Sequence, residues 1–158
     1  MLIPRTLVFI TRGESILLLK GAANKRLWAN RYNGVGGHIE RGEDVLGAAR
    51  RELREETGLE VSDLWLCATV LIDTGQNPGI VLFVLRGECP PEQTCAPQPS
   101  SEGSLEWLPQ GSIAGLPLVE DLHELLPRIL ALRHEDPPLN VRYHYDQTGS
   151  LIINFSDA

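Results

Sequence analysis

Three glutamates, Glu52, Glu55 and Glu56, fall within five residues of a segment whose pattern predicts a helix. Each helical residue turns by about 100°, and positions i, i+3 and i+4 share a face, so the three carboxylates occupy one arc. Leu46, Ala49 and Leu53 make an adjoining apolar stripe that would dock the helix and hold the acids beside a core seam. Like charges at this spacing destabilise a solvated helix by a few tenths of a kcal/mol, roughly, and more when water is excluded. A divalent cation with a taste for oxygen ligands, Mg²⁺ or Mn²⁺, is the compensation that fits best. The plain alternative is a solvated acidic face salt-bridged by Arg50, Arg51 and Arg54.

The flanking segments must position these acids. Glu43 to Thr57 reads as the helix, with Gly58 beyond its end where a left-handed cap is favoured. Ahead of it lies Asn33-Gly34-Val35-Gly36-Gly37-His38, glycine-dense but too ordered in pattern for a linker. Thr6–Thr11 and Ile16–Leu19 form a predicted hairpin about Arg12-Gly13-Glu14, and Leu64–Ile72 with Ile80–Leu85 a second strand pair. Gly87 to Ser104 reads as a long surface loop, followed by a short strand, Leu105–Leu108. Val119 to Arg133 carries Leu122, Leu125, Leu126, Ile129 and Leu132 at helical spacing and should be stopped by Pro137 and Pro138. A closing hairpin, Val141–Tyr145 and Leu151–Phe155, turns at Asp146–Gly149. Mixed strands with two helices imply one α/β domain over residues 1–158.

Composition narrows the partners. A chain of 158 residues with net charge −7 is long enough for a single core and lacks the basic surface that nucleic-acid polymers or anionic membranes reward. Phosphorylated small molecules stay open, because a bound metal reverses the local field. Cys67, Cys89 and Cys95 form no C-x-x-C pair, so neither a disulfide framework nor structural zinc is indicated. No run reaches the roughly 18–20 apolar residues of a membrane span, and the apolar N-terminus is broken by Arg5, Arg12 and Glu14. A soluble, cytoplasmic protein with reduced thiols is expected, whether monomer or homodimer.

The stretch from Gly37 to Leu59, GHIERGEDVLGAARRELREETGL, resembles the Nudix box, G-x5-E-x7-R-E-U-x-E-E-x-G-U with U aliphatic. Gly37, Glu43, Arg51, Glu52, Leu53, Glu55, Glu56, Gly58 and Leu59 fill its nine specified positions. The resemblance implies a Nudix α/β/α sandwich with a mixed sheet and C-terminal β-hairpin. It also implies a divalent-metal-dependent pyrophosphohydrolase of the MutT-like type, cleaving (deoxy)nucleoside triphosphates to monophosphate and pyrophosphate. Several carboxylates without a nucleophilic Ser or Cys suit that chemistry, which rests on positioning and charge stabilisation.

Carried over by position, the resemblance makes Glu55 and Glu56 metal ligands, Gly37 a carbonyl donor to the metal, and Glu52 a metal ligand or general base. Glu102 is the further loop carboxylate that completes the metal site or takes the proton, with Glu106 as its competitor. Glu43, Arg51 and Gly58 are structural support. Asn33, Gly36 and Gly37 lie in the approach Leu27-Trp28-Ala29-Asn30-Arg31-Tyr32-Asn33-Gly34-Val35-Gly36-Gly37, which resembles the W-N-G-x-G-G of MutT-type enzymes acting on oxidised purine triphosphates. There the residue at Asn33 bonds the purine; a turn-forming Asn before Gly is the plain alternative. Lys20, with Lys25 and Arg26, could meet the triphosphate, and Asp121, with Glu120, the base; a solvated loop and helix-start acids are the plain readings. Trp28 and Phe83 could stack on a base; as aromatics on apolar elements, a place in the core is the plain reading. An oxidised purine such as 8-oxo-dGTP is the leading substrate. The alternatives are ADP-ribose, a dinucleoside polyphosphate, or nucleotide sensing without turnover.

Overall fold

A computed structural model describes residues 1–94 and 102–156, so Cys95 and part of the expected long loop lie outside the described residues. The strands are β1 (Leu2–Arg12), β2 (Ser15–Gly21), β3 (Tyr32–Asn33), β4 (Val35–His38), β5 (Trp65–Ile72), β6 (Gly79–Glu88), β7 (Gly103–Pro109), β8 (Leu139–Tyr145) and β9 (Leu151–Ser156). The helices are α1 (Val45–Thr57) and α2 (Leu122–Ala131), and Gln110–Gly115 forms a 3-10 helix. The sheet runs β3-β2-β1-β6-β5-β8-β9, with β4 also on β1 and β7 also on β2. Pairs β1–β6 and β5–β8 are parallel, so the sheet is mixed and the class is α/β, as expected.

Strand β1 shares one edge between two partners, β4 opposite residues 5–8 and β2 opposite residues 10–12. Its alternation divides the core. Val8 and Ile10 join Ala49 and Leu53 of α1, while Leu7 and Phe9 join Leu122, Leu125, Leu126 and Ile129 of α2. Each fully buried Leu or Phe in these layers contributes about 1.5–3 kcal/mol from removing apolar surface from water. Two helices on opposite faces of one sheet make the sandwich.

Four boundaries differ from the sequence expectation. The glycine-dense stretch is two short strands, β3 and β4, because its backbone completes the edges of β2 and β1. Helix α1 starts at Val45, since Asp44 is its cap and accepts from the Gly47 N–H at 2.6 Å. Leu46 is 39% exposed, and the buried face is Ala48, Ala49 and Leu53, whose small alanines admit β4 closely. Helix α2 starts late because the backbone at Pro117 and Val119 bonds Tyr32, and it ends at Ala131, ahead of the prolines. There Arg86 donates to the Ile129 and Leu132 carbonyls at 3.0 and 2.9 Å, placing a cation at the negative end of the helix. The expected Gly87–Ser104 loop is shorter, as β6 continues to Glu88 and β7 begins at Gly103. Cys67 and Cys89 are free and buried.

Candidate active site

Helix α1 lies across β4, and that crossing builds the acidic site. Gly58 at φ +78° closes the helix with its N–H on the Arg54 carbonyl, a conformation that L side chains resist. Arg51, about two turns earlier, binds both oxygens of Glu43 at 2.7 and 2.9 Å, the Glu52 carboxylate at 2.9 Å and the His38 carbonyl at 3.1 Å. It also reaches Glu55 at 3.4 Å. The planar five-donor guanidinium thus ties the helix to the loop before it. Beside it the Glu43 carboxyl is held down to about 2, far below the usual carboxylate range.

Glycine at 37 is required by the acid that faces it: a Cβ there would fall 2.5 Å from Glu52 Oε1. Gly36 is equally constrained, since its Cβ would strike the Thr6 carbonyl across the β1–β4 pair. Glu56, one turn beyond Glu52, is pushed up to about 7 by burial and by the negative charges of Glu52 and Glu102, with the Gly36 N–H working the other way. Its Oε2 is buried without a hydrogen-bond partner among the described residues. The Thr6 hydroxyl, on a residue only 2% exposed, is likewise unpartnered. Buried oxygens of this kind ask for a ligand.

A cavity of about 310 Å³ adjoins the acids. Glu56, Gly36, Glu102 and Lys25 line it, and Lys25 holds Glu102 at 2.5 Å. Its wall continues through Asn33, Val119, Glu120, Asp121 and Tyr143, over the aliphatic residues Leu7, Ile72, Ile80 and Leu82. The Tyr143 hydroxyl donates to Asp121 Oδ2 at 2.8 Å. Burial raises the Asp121 carboxyl above its ordinary value, and the tyrosine bond opposes that rise. Asn33 accepts from the Gly34 N–H at 2.8 Å, so its turn role and its place on the cavity wall coexist.

Among the residues singled out from sequence, Asn33, Gly36, Glu56, Glu102 and Asp121 line the cavity together. Glu52 and Gly37 touch each other next to it, and Glu55 is 60% exposed on the same helix. Lys20 does not line the cavity; its Nζ sits 5.6 Å from the centre of the Tyr32 ring. Glu106 is turned to the Tyr32 hydroxyl and is not a lining residue, which separates it from Glu102. Of the two aromatics read as base-stacking or core, Trp28 stands half-exposed at φ +60° on the cavity wall, whereas Phe83 packs on the α1 side. Sequence reasoning missed Thr6, Arg5 and Tyr143. A lone threonine inside the apolar run TLVFI was the one available signal, for Thr6.

The Nudix domain profile matches residues 1–129. The chain belongs to the Nudix family. Relatives of this Nudix domain include a Mus musculus protein named oxidized purine nucleoside triphosphate hydrolase, 41% identical over 59 residues. That alignment covers 37% of this chain and 36% of the mouse protein. The NAD-capped RNA hydrolase NudC of Pseudomonas aeruginosa is 40% identical over 61 residues, 39% of this chain and 21% of NudC. The Nudix chain therefore aligns with only about a fifth to a little over a third of these curated relatives' length. The mutator MutT protein of Bacillus halodurans shares the fold, with a TM-score of 0.75 at 24% identity over 98% of this chain and 97% of that one.

Members of the family generally use divalent metals. The donor set here is all oxygen, and the unpartnered Glu56 Oε2 fits such an ion. Among the described residues no three acidic, His or Cys side chains are gathered closely enough to hold an ion, because Glu52 and Glu55 turn to Arg51.

Proposed function

We propose that this Nudix domain hydrolyses (deoxy)nucleoside triphosphates to monophosphate and pyrophosphate with Mg²⁺, or Mn²⁺, as cofactor. The observation that carries the reading is Glu56, a buried carboxylate with a free oxygen beside two further acids at the side of a nucleoside-sized cavity. Its ligands would be Glu56, Glu55, Glu52, Glu102 and the Gly37 carbonyl. When bound, the ion neutralises phosphate oxygens and lowers the barrier to attack on phosphorus.

The chain's own residues do the rest. Glu52, bonded by Arg51 and pressed against Gly37, is the proposed proton acceptor for the attacking water, with Glu102 as the alternative. Lys25 stands ready on the wall to meet a phosphate. Asn33, Gly36, Gly37 and Asp121 orient the nucleoside, and Glu43, Arg51 and Gly58 hold the helix in place. Lys20 stays with the Tyr32 ring and supports the wall from behind.

The cavity also supports a choice among substrates. At about 310 Å³ it stands at the low end of the roughly 300–1,000 Å³ of small-molecule sites, room enough for a nucleoside. That suits a mononucleotide such as a triphosphate, and the name of the mouse relative supports an oxidised purine such as 8-oxo-dGTP.

Pyrophosphate release with Mg²⁺ across ordinary and oxidised dNTPs, ADP-ribose, NADH and dinucleoside polyphosphates tests the reading. A purine triphosphate should give the highest kcat/KM. Preference for ADP-ribose or a dinucleotide would overturn the substrate, and nucleotide binding without any turnover would point to a sensing domain. Comparing Glu52→Gln with Glu102→Gln identifies the proton acceptor as the variant with the larger loss of kcat.

A further inference from the structure

The cavity lining contains a cation without a counter-ion among the described residues. Arg5 lies on β1 two residues before Leu7, on the face that turns to α2, and its parallel neighbour on β6 is Leu82. It lines the cavity with Leu7, Ile80 and Leu82, yet makes no ion pair or side-chain hydrogen bond among the described residues. Of the carboxylates that line the cavity, Asp121 accepts from Tyr143 and Glu102 is bound by Lys25, while neither Glu56 nor Glu120 forms an ion pair with Arg5 among the described residues. A partly buried guanidinium on a cavity wall, with no protein acceptor, keeps its five donors for water or for a ligand that offers one.

The nucleotide reading supplies that acceptor. With the phosphates drawn to the acids around Glu56, the base extends over the floor formed by Leu7, Leu82 and Arg5. Arginine only donates. A purine with a carbonyl at position 6 offers it an acceptor, whereas a 6-amino group presents a second donor and is rejected. We propose that Arg5 is a specificity-determining residue that makes this cavity select 6-oxopurine nucleotides over 6-aminopurine nucleotides. The inference rests on the nucleotide reading above, which leaves the choice of purine open.

Inosine and adenine nucleotides isolate the contact, because inosine has the 6-carbonyl but lacks the 2-amino group that Asp121 could read. We would measure kcat/KM for dITP and dATP, and calorimetric binding of dIMP and dAMP with Mg²⁺, on the unaltered protein, Arg5→Leu and Arg5→Lys. The unaltered protein should favour the 6-oxo member by roughly tenfold or more. Arg5→Leu should bring both ratios close to one. Arg5→Lys, which keeps the charge without the fork, should retain part of the preference.

Equal weakening of both bases in Arg5→Leu would assign Arg5 to the phosphates and overturn the proposal. An unchanged ratio would overturn it too. Melting temperatures of the variants exclude misfolding, and Arg5→Lys gives an independent reading if Arg5→Leu is unstable. Nucleotide turnover with a base ratio indifferent to Arg5 sinks this inference alone; no binding or turnover of any nucleotide sinks the functional reading with it.

Discussion

The box on α1 and the cavity wall behind it are built in opposite ways. On the box side, Glu43, Arg51, Glu52 and Glu55 belong to a few consecutive turns, and one guanidinium satisfies most of their charges. On the cavity side, Thr6 of β1, Leu82 of β6, Asp121 ahead of α2 and Tyr143 of β8 come from across the chain. There the polar groups come from many separate elements, and the hydroxyl of one of them, Thr6, is left unpartnered among the described residues. Short-range charge pairing makes the first region rigid without a ligand. The second keeps its bonding capacity for whatever enters, at the cost of buried groups that fold less favourably.

The strongest way to break this contrast is to remove the one box acid that behaves like the cavity. Glu56→Gln should lower kcat by several orders of magnitude, on the order of the loss of a metal-based term, while circular dichroism stays native. Near-normal turnover would refute the metal assignment. In metal-free buffer the same substitution should raise the melting temperature at pH 8 more than at pH 4.5. The sign follows from burial: a carboxyl pushed up to about 7 resists ionisation in the folded state, so its penalty grows above the ordinary 4.5 and is complete above 7.

Next in size is the helix seat that carries the acids. Leu53 is fully buried in the α1-side core, and Leu53→Ala should cost about 2–5 kcal/mol of stability in a denaturant titration. A loss below about 1 kcal/mol would mean that α1 is positioned by Arg51 rather than by packing.

Tyr143→Phe sharpens the other side. Removing the hydroxyl leaves the largely desolvated Asp121 carboxylate short of a donor, worth about 1–3 kcal/mol. Under the proposed function, KM should rise roughly tenfold with little change in kcat. A fall in kcat at constant KM would place Asp121 among the reacting groups.

The smallest effect concerns acid stability. Glu43, held down to about 2 by Arg51, contributes stability that is complete above its ordinary 4.5 and is lost as pH falls through about 2. The melting temperature of the unaltered protein should therefore drop more steeply across that window than that of Glu43→Gln. Parallel curves would show the pair to be ornamental.

What could be read from the chain and what could not follow the same division. The acid spacing, the Gly58 cap, the two helices and most strands were legible, because helical period, alternation and turn residues act over a few positions. The Nudix box is legible for the same reason, as its parts meet within six turns of backbone. The start of α1 shifted only because Asp44 outcompetes Glu43 for the cap, a local detail. By contrast, nothing in Arg5 or Tyr143 announces a cavity, and nothing in Lys20 warns that it turns to a tyrosine ring instead. Those outcomes depend on which strands pair. The β1–β6 register sets Arg5 beside Leu82, and the β5–β8 register brings Tyr143 to Asp121. The sequence by itself determined the acid-bearing helix and its family, through interactions within single elements. Only the tertiary structure decided which polar groups face the cavity, because strand pairing couples residues that are far apart in the chain.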